Sequence, residues 1–147
     1  MTGGGSGNPD LPRREDFGYA LEIPTRWMDN DIYGHVNNVV YLSFFDTVIN
    51  TYLIRAGGLD IHGGHVIGLC IESRCVYRAP LEFPEPVDAR LRVAKLGRTS
   101  VRYEVGLFGV ELEPAAFGHF VHVFVERGSR RPHEIPASVR EALDAIS

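Results

Sequence analysis

The segment Trp27-Met28-Asp29-Asn30-Asp31-Ile32-Tyr33-Gly34-His35-Val36-Asn37-Asn38 sets two carboxylates, an imidazole and side-chain amides directly ahead of the strongest helical pattern in the sequence. Asp, Asn and Gly also belong in turns and caps, and His35 can simply hydrogen-bond backbone, so a structural role stands beside a chemical one. Metal chemistry fits poorly. Asp29, Asp31 and Gly34 match positions one, three and six of a calcium-binding loop, but the twelfth is Val40, which cannot coordinate the ion. His119 and His122 fall on opposite faces of a strand, and two lone cysteines form no chelating pair. The chain has no G-x-S-x-G elbow and no glycine-rich phosphate loop ahead of a helix.

What remains is a carboxylate a few residues before a helix N-terminus. Free N–H groups of a first turn polarise a carbonyl oxygen and stabilise developing negative charge. The carboxylate can activate water as a general base, or attack directly to give a transient anhydride. So minimal a site suits a substrate with a good leaving group. A thiol leaves as thiolate, with a pKa near ~8.5, and requires no strong general acid. Thioester hydrolysis is the chemistry these residues best perform.

The elements that must position them follow from periodicity. Tyr19, Leu21 and Ile23 predict a short strand that stops near Pro24. A helix is predicted from about Val39 to Ala56, with Tyr41, Leu42, Phe44, Phe45, Val48, Ile49, Tyr52 and Leu53 on a wide apolar face. Ser43, Thr47, Asn50 and Thr51 lie opposite, Asp46 at the border, and Ile54 is an apolar exception on the polar side. Asn37 or Asn38 supplies its N-cap and Gly57-Gly58 its stop.

Four further segments alternate with period two, around Leu69–Arg78, Val87–Val93, Val101–Leu107 and Phe117–Arg127, with Gly97-Arg98-Thr99 as a hairpin turn. The first is expected to set Leu69, Ile71, Cys75 and Tyr77 against Glu72, Arg74 and Arg78, and the last to be covered on both faces. A final helix runs from Pro136 to Ile146. One long helix followed by alternating strands reads as α+β: an antiparallel sheet of about five strands packed on a single central helix, plus a short C-terminal helix. Open sheet edges and a partly apolar outer face point to oligomerisation.

The 147 residues suit one domain, expected over residues 17–147 behind a disordered tail of residues 1–16. Composition is that of an ordinary globular chain: 44% apolar, 23% charged, net charge −4, with 14 of 15 basic residues arginine. That balance gives no basic footprint for nucleic acid, and no apolar run of about 18 residues can span a bilayer. Met1 to Pro9 has neither the charged start nor the apolar core of a secretory signal, so cytoplasmic residence is expected. Cys70 and Cys75, five apart on a strand, are expected on opposite faces, which disfavours a disulfide.

Trp27 to Asp46 resembles the hot-dog-fold thioesterases, in the branch of 4-hydroxybenzoyl-CoA thioesterase and related acyl-CoA thioester hydrolases, whose loop reads D-x-D-x-x-G-H-V-N-N-x-x-Y. Tyr77 to Val105 is similar to the family's paired strands around L-G-R-x-S, and Phe120 to Leu143 to its last strand and P-x-x-V-R-x-x-L tail. The resemblance covers roughly Tyr19 to Ile146.

It implies a sheet wrapped around the central helix, with Asp31 as the catalytic carboxylate and the Asn38 N–H as the donor to the thioester carbonyl. Gly34, His35 and Asn37 match positions that shape the pocket, and Asp29 is expected to be structural. Tyr41 matches a tyrosine near the acyl site, although its place on the apolar face also suits core packing. The implied substrate is an acyl-CoA, with no separate cofactor and no metal, and the implied assembly a homodimer or homotetramer with sites at the subunit interface. Arg98, with Arg130 and Arg131 behind it, is the candidate for coenzyme A phosphates, since the net charge gives no global steering of an anion. The hot-dog hydratase order D-x-N-P-x-H is absent, for Asp31 and His35 are four apart with no proline between. A non-catalytic acyl-CoA-sensing module would not call for Asp31. The acyl group, and the choice between coenzyme A and acyl carrier protein, stay open.

Overall fold

The computed structural model describes residues 11–147. Strand β1 is Tyr19–Ile23, helix α1 Asn38–Arg55, β2 Val66–Tyr77, β3 Val87–Leu96, β4 Ser100–Phe108, β5 Ala116–Glu126 and α2 Ala137–Asp144. The strands form one antiparallel sheet in the order β1-β3-β4-β5-β2. This is the hot-dog arrangement that the sequence implied. Its topology leaves β1 and β2 as the two edges.

Helix α1, about 27 Å long at 1.5 Å per residue, lies in the hollow of the sheet. Tyr41, Phe44, Phe45, Val48, Ile49, Tyr52 and Leu53 are buried, all from the face that periodicity assigned. Leu42 is half-buried, Ser43, Asp46 and Thr47 are exposed, and Ile54 is the exposed exception. The receiving surface is Ala89, Leu91 and Val93 of β3, Val101, Tyr103, Val105 and Leu107 of β4, and Phe120 and Phe124 of β5. Phe45 stacks on Phe120 at 5.7 Å and Tyr52 on Tyr19 at 4.7 Å between ring centroids. Burying a side chain of this size contributes about 1.5–3 kcal/mol, so α1 is held by tertiary packing rather than by propensity. Helix α2 closes one end through Val139, Ala142 and Leu143, and the Tyr52 hydroxyl donates to the Ala142 carbonyl. Pro136 is its cap rather than its first residue.

Strand β2 departs from its expected alternation. Cys70 pairs with His122 and Glu72 with Val121, so Ile71 is an extra residue, a β-bulge. Past the bulge the faces swap. Cys70 and Cys75 both face the helix, opposite His122 and Gly118, which corrects the expected placement on opposite faces. Leu69, opposite Val123, belongs to the outer face, whereas Cys75 and Tyr77 belong to the inner one. Both thiols are free. Gly118 permits the β2–β5 approach, since a Cβ there would lie 1.8 Å from the Arg74 carbonyl oxygen.

Part of the outer face is covered by the chain itself. Residues 1–10 of the expected tail lie outside the described residues, but Arg14–Asp16 forms a 3-10 turn. Arg14 pairs with Asp88 at 2.8 Å and donates to the carbonyls of Gly109 and Glu111. Phe17 is buried edge-on against Phe108 and Phe117, beneath the Arg92 guanidinium at 4.9 Å. Toward β2 the outer face carries Glu72, His119 and Arg102 in a bonded row. His122 lies on the inner face, as strand alternation required. Among the described residues no helix is long and apolar enough to cross a membrane.

Candidate active site

The loop ahead of α1 begins with a 3-10 turn, Trp27–Asp29, whose carboxylate is engaged internally. Asp29 is buried, and it accepts from the Arg26 N–H at 2.8 Å and from Arg26 Nη2 at 2.8 Å. Its carbonyl takes the Asn37 N–H. Asp29 is therefore the structural aspartate of the pair.

Asp31 sits at the start of a tight reversal. Its N–H donates to the His35 carbonyl, its carbonyl accepts from the Gly34 N–H, and its Oδ1 accepts from the Tyr33 N–H at 2.8 Å. Gly34 makes the turn possible at φ +83°, a left-handed conformation that a Cβ disfavours. Three bonds fix the residue, while Oδ2 takes no partner among the described residues. The loop is tied down at both ends: Asn30 Oδ1 accepts from the Phe83 N–H, and Val36 donates to the Leu81 carbonyl.

Asn37 is the N-cap of α1, its side chain accepting from the Val39 N–H at 3.3 Å. Asn38 is the first helical residue, and its N–H donates to nothing among the described residues. An unpaired N–H at a helix N-terminus is a ready donor to an oxyanion.

A cleft of about 410 Å³ joins these groups, lined by Asp31, Tyr33, His35, Val36, Asn38 and Tyr41 on one side and Tyr77, Arg78, Ala79 and Pro80 on the other. Of the residues singled out in the sequence, Asp31, His35, Asn38 and Tyr41 meet here, with Gly34 shaping the turn behind them. Tyr41 is buried at the base, and its hydroxyl accepts the Leu81 N–H at 3.2 Å. Burial pushes its pKa up, which keeps the phenol neutral. The second wall was not foreseen. It belongs to the end of β2, some forty residues on, and its only sequence signal is a polar Tyr-Arg pair closing a strand.

Arg98 is not brought to the cleft within one chain. It lies in the β3–β4 hairpin, paired with Glu134 at 3.1 Å, at the end of the sheet where Ser100 meets Val123. The cleft lies at the other end, where Tyr77 meets Ala116. Arg130 and Arg131, which follow β5, share the hairpin end. Among the described residues no group of three His, Cys, Asp or Glu side chains is placed to hold a metal ion.

The fold has counterparts among solved structures. Among solved structures, the PA5185 protein from Pseudomonas aeruginosa strain PAO1 is 56% identical over 93% of this chain and 96% of that one, with a TM-score of 0.91. A thioesterase from Thermus thermophilus, solved with coenzyme A and Zn, is 30% identical over 89% of this chain and 95% of that one, with a TM-score of 0.75. A DHNA-CoA thioesterase from Staphylococcus aureus, 20% identical over 86% of each chain with a TM-score of 0.74, shares the fold. No curated protein sequence matches. The sequence profile of the thioesterase-like superfamily matches residues 25–143, which takes in the loop, both walls of the cleft and the whole sheet beyond β1. The chain belongs to that superfamily.

Proposed function

We propose that this protein hydrolyses an acyl-CoA thioester to the free acid and coenzyme A, with Asp31 as the reacting carboxylate and the Asn38 N–H polarising the thioester carbonyl. One observation carries this: Asp31 and Asn38 line a single cleft, and among the described residues neither the Asp31 Oδ2 nor the first-turn Asn38 N–H has a partner. The Thermus relative, a thioesterase solved with coenzyme A, supports the substrate class.

The thioester carbonyl leans on the N-terminus of α1, where the helix dipole and the Asn38 N–H stabilise the negative oxygen as it forms. Asp31 either takes a proton from water as that water adds to the carbonyl carbon, or adds to it directly and is released by water. In both routes the C–S bond breaks, coenzyme A departs as thiolate and is protonated from solvent. Asp31 returns to the carboxylate. Tyr41 and His35 border the acyl group, while Gly34 and Asn37 hold the loop and the helix start that present Asp31 and Asn38.

The assembly in this proposal is a homodimer, alone or paired into a tetramer, formed along the β2 edge. Antiparallel pairing of two such edges turns the hairpin end of one subunit toward the cleft of the other. Arg98, Arg130 and Arg131 would then serve the phosphates of coenzyme A across the interface. The free thiols support a reducing compartment such as the cytoplasm.

The test is release of free thiol across short, medium, long and aromatic acyl-CoAs, with acyl carrier protein thioesters alongside. At least one acyl-CoA is turned over. Binding without thiol release throughout would point instead to a sensing module, and water addition to an enoyl-CoA to a hydratase.

A further inference from the structure

Tyr77 ends β2 and faces inward, opposite Ala116, at the mouth of the cleft. Its ring packs edge-on against Tyr41, with centroids 5.0 Å apart and planes at 72°. Its hydroxyl donates to the Asn38 carbonyl at 3.0 Å. That carbonyl belongs to the first residue of α1, whose own N–H is open. The two walls of the cleft are thus bonded to each other at the residue proposed to hold the oxyanion.

Outside its own helical bonds, the start of α1 has few restraints. Its cap bond, Val39 N–H to Asn37 Oδ1, is long at 3.3 Å, and Val39 itself is exposed. First turns fray when their orphan groups lack partners. On the loop side, the Asn37 N–H is held by the Asp29 carbonyl at 2.8 Å. On the helix side, the Asn38 carbonyl is held by Tyr77. The Asn38 N–H belongs to the peptide unit between these two restraints, whose Asn37 carbonyl accepts the Val40 N–H at 2.9 Å. The Cys75 thiol faces inward beside Tyr77, two residues back on the same strand. Desolvation pushes that thiol's pKa up to about 11, so the sulfur keeps its proton.

We propose that Tyr77 is a positioning residue of the thioesterase site, its hydroxyl clamping the first carbonyl of α1 so that the Asn38 N–H is aimed at the developing oxyanion. This rests on the thioesterase reading above. A preorganised donor needs no rearrangement as charge develops, and displacing one by about 1 Å can cost as much as 10²-fold in rate.

Tyr77→Phe removes the hydroxyl and keeps the ring. In the free variant the ¹⁵N order parameter of the Asn38 amide falls from the rigid value, about 0.85, toward the flexible range below about 0.6. In the same variant kcat falls about tenfold while KM stays within about twofold, as expected when only transition-state stabilisation is lost. An unchanged Asn38 order parameter overturns the proposal, whatever the activity. So does a raised KM at unchanged kcat, which would make Tyr77 a substrate contact. Should the wild-type chain release no thiol from any acyl-CoA, the proposed function falls separately, because the amide measurement needs no substrate and still decides whether Tyr77 holds the helix start.

Discussion

Two aspartates two residues apart in one loop have opposite fates, and the difference lies in which oxygens are occupied. Asp29 commits its carboxylate to Arg26 and is buried, whereas Asp31 lines the cleft and keeps Oδ2 without a partner among the described residues. Asp31→Asn is therefore expected to lower kcat by about 10² or more with little change in melting temperature. Asp29→Asn should do the reverse first: it weakens a charge-assisted bond to a buried carboxylate, at about 1.5–3 kcal/mol of stability. Thiol release and thermal melts on both variants check the pair, and equal effects on turnover would remove the distinction. A third residue, His122, bears on stability alone. It is buried on the inner face, its Nδ1 bonded to the Tyr103 hydroxyl at 3.1 Å, and desolvation lowers its pKa from 6.5 to about 4. Between those values the unfolded chain binds the proton and the folded one does not, so stability rises with pH across that window. The contribution is complete above pH 6.5 and lost as pH falls toward 4, by about 3 kcal/mol. Denaturant titrations at pH 4.5 and 7.5 should show that slope, reduced by one proton in His122→Asn, whose amide oxygen can still accept from Tyr103. An identical slope in the variant would assign the effect to other groups.

At the scale of elements, α1 was legible because a 3.6-residue period repeated over five turns leaves one consistent buried face. The pre-helix loop was legible because Asp31 and Asn38, the proposed reacting groups, lie within eight consecutive residues. What stayed hidden needed tertiary information. The bulge at Ile71 is one extra residue in a strand of otherwise good alternation, and pattern alone cannot say which residue is skipped. Its effect reaches past Cys75 to Tyr77, whose inward direction makes the second wall of the cleft. That wall joins the loop only because β2 and α1 pack in the same hollow. Arg98 shows the same boundary from the other side, since a hairpin is readable but the end of the sheet it closes is not. The register that sets these directions depends on Gly118, where β2 leaves no room for a Cβ on β5. Gly118→Ala forces a Cβ against the Arg74 carbonyl, a backbone atom with no rotamer to yield. The expected result is a loss of more than about 3 kcal/mol or failure to fold, placing it among the severe substitutions. Ala94, on an exposed strand position, serves as the control: Ala94→Ser should stay within about 0.5 kcal/mol.

For the whole molecule, the question is what β2 does with its free edge. Twelve residues long and, among the described residues, paired along its length only with β5, it presents an open edge flanked by exposed Ile71, Val76 and Tyr77. An edge of that length is a template for another strand unless something covers it. Around the cleft, Trp27, Met28, Ile32, Tyr33 and Val39 are also exposed, Ile32 at 93%, which is an unfavourable surface for a chain on its own. A second copy pairing antiparallel along β2 would cap both edges at once and set its own hairpin end beside the exposed loop. Two clefts would then lie at the interface, each walled partly by the neighbour, and turnover would depend on assembly. Ile71→Lys places a charge on the edge where two copies of the bulge would meet, without touching the cleft lining. Sedimentation should show the wild-type chain as a dimer or tetramer and the variant as a folded monomer by circular dichroism. Thiol release should fall at least tenfold in the variant and recover as protein concentration drives reassociation. A wild-type monomer that hydrolyses acyl-CoA at full rate would mean that the cleft is complete in one chain, and that the β2 edge is covered by something other than a second copy.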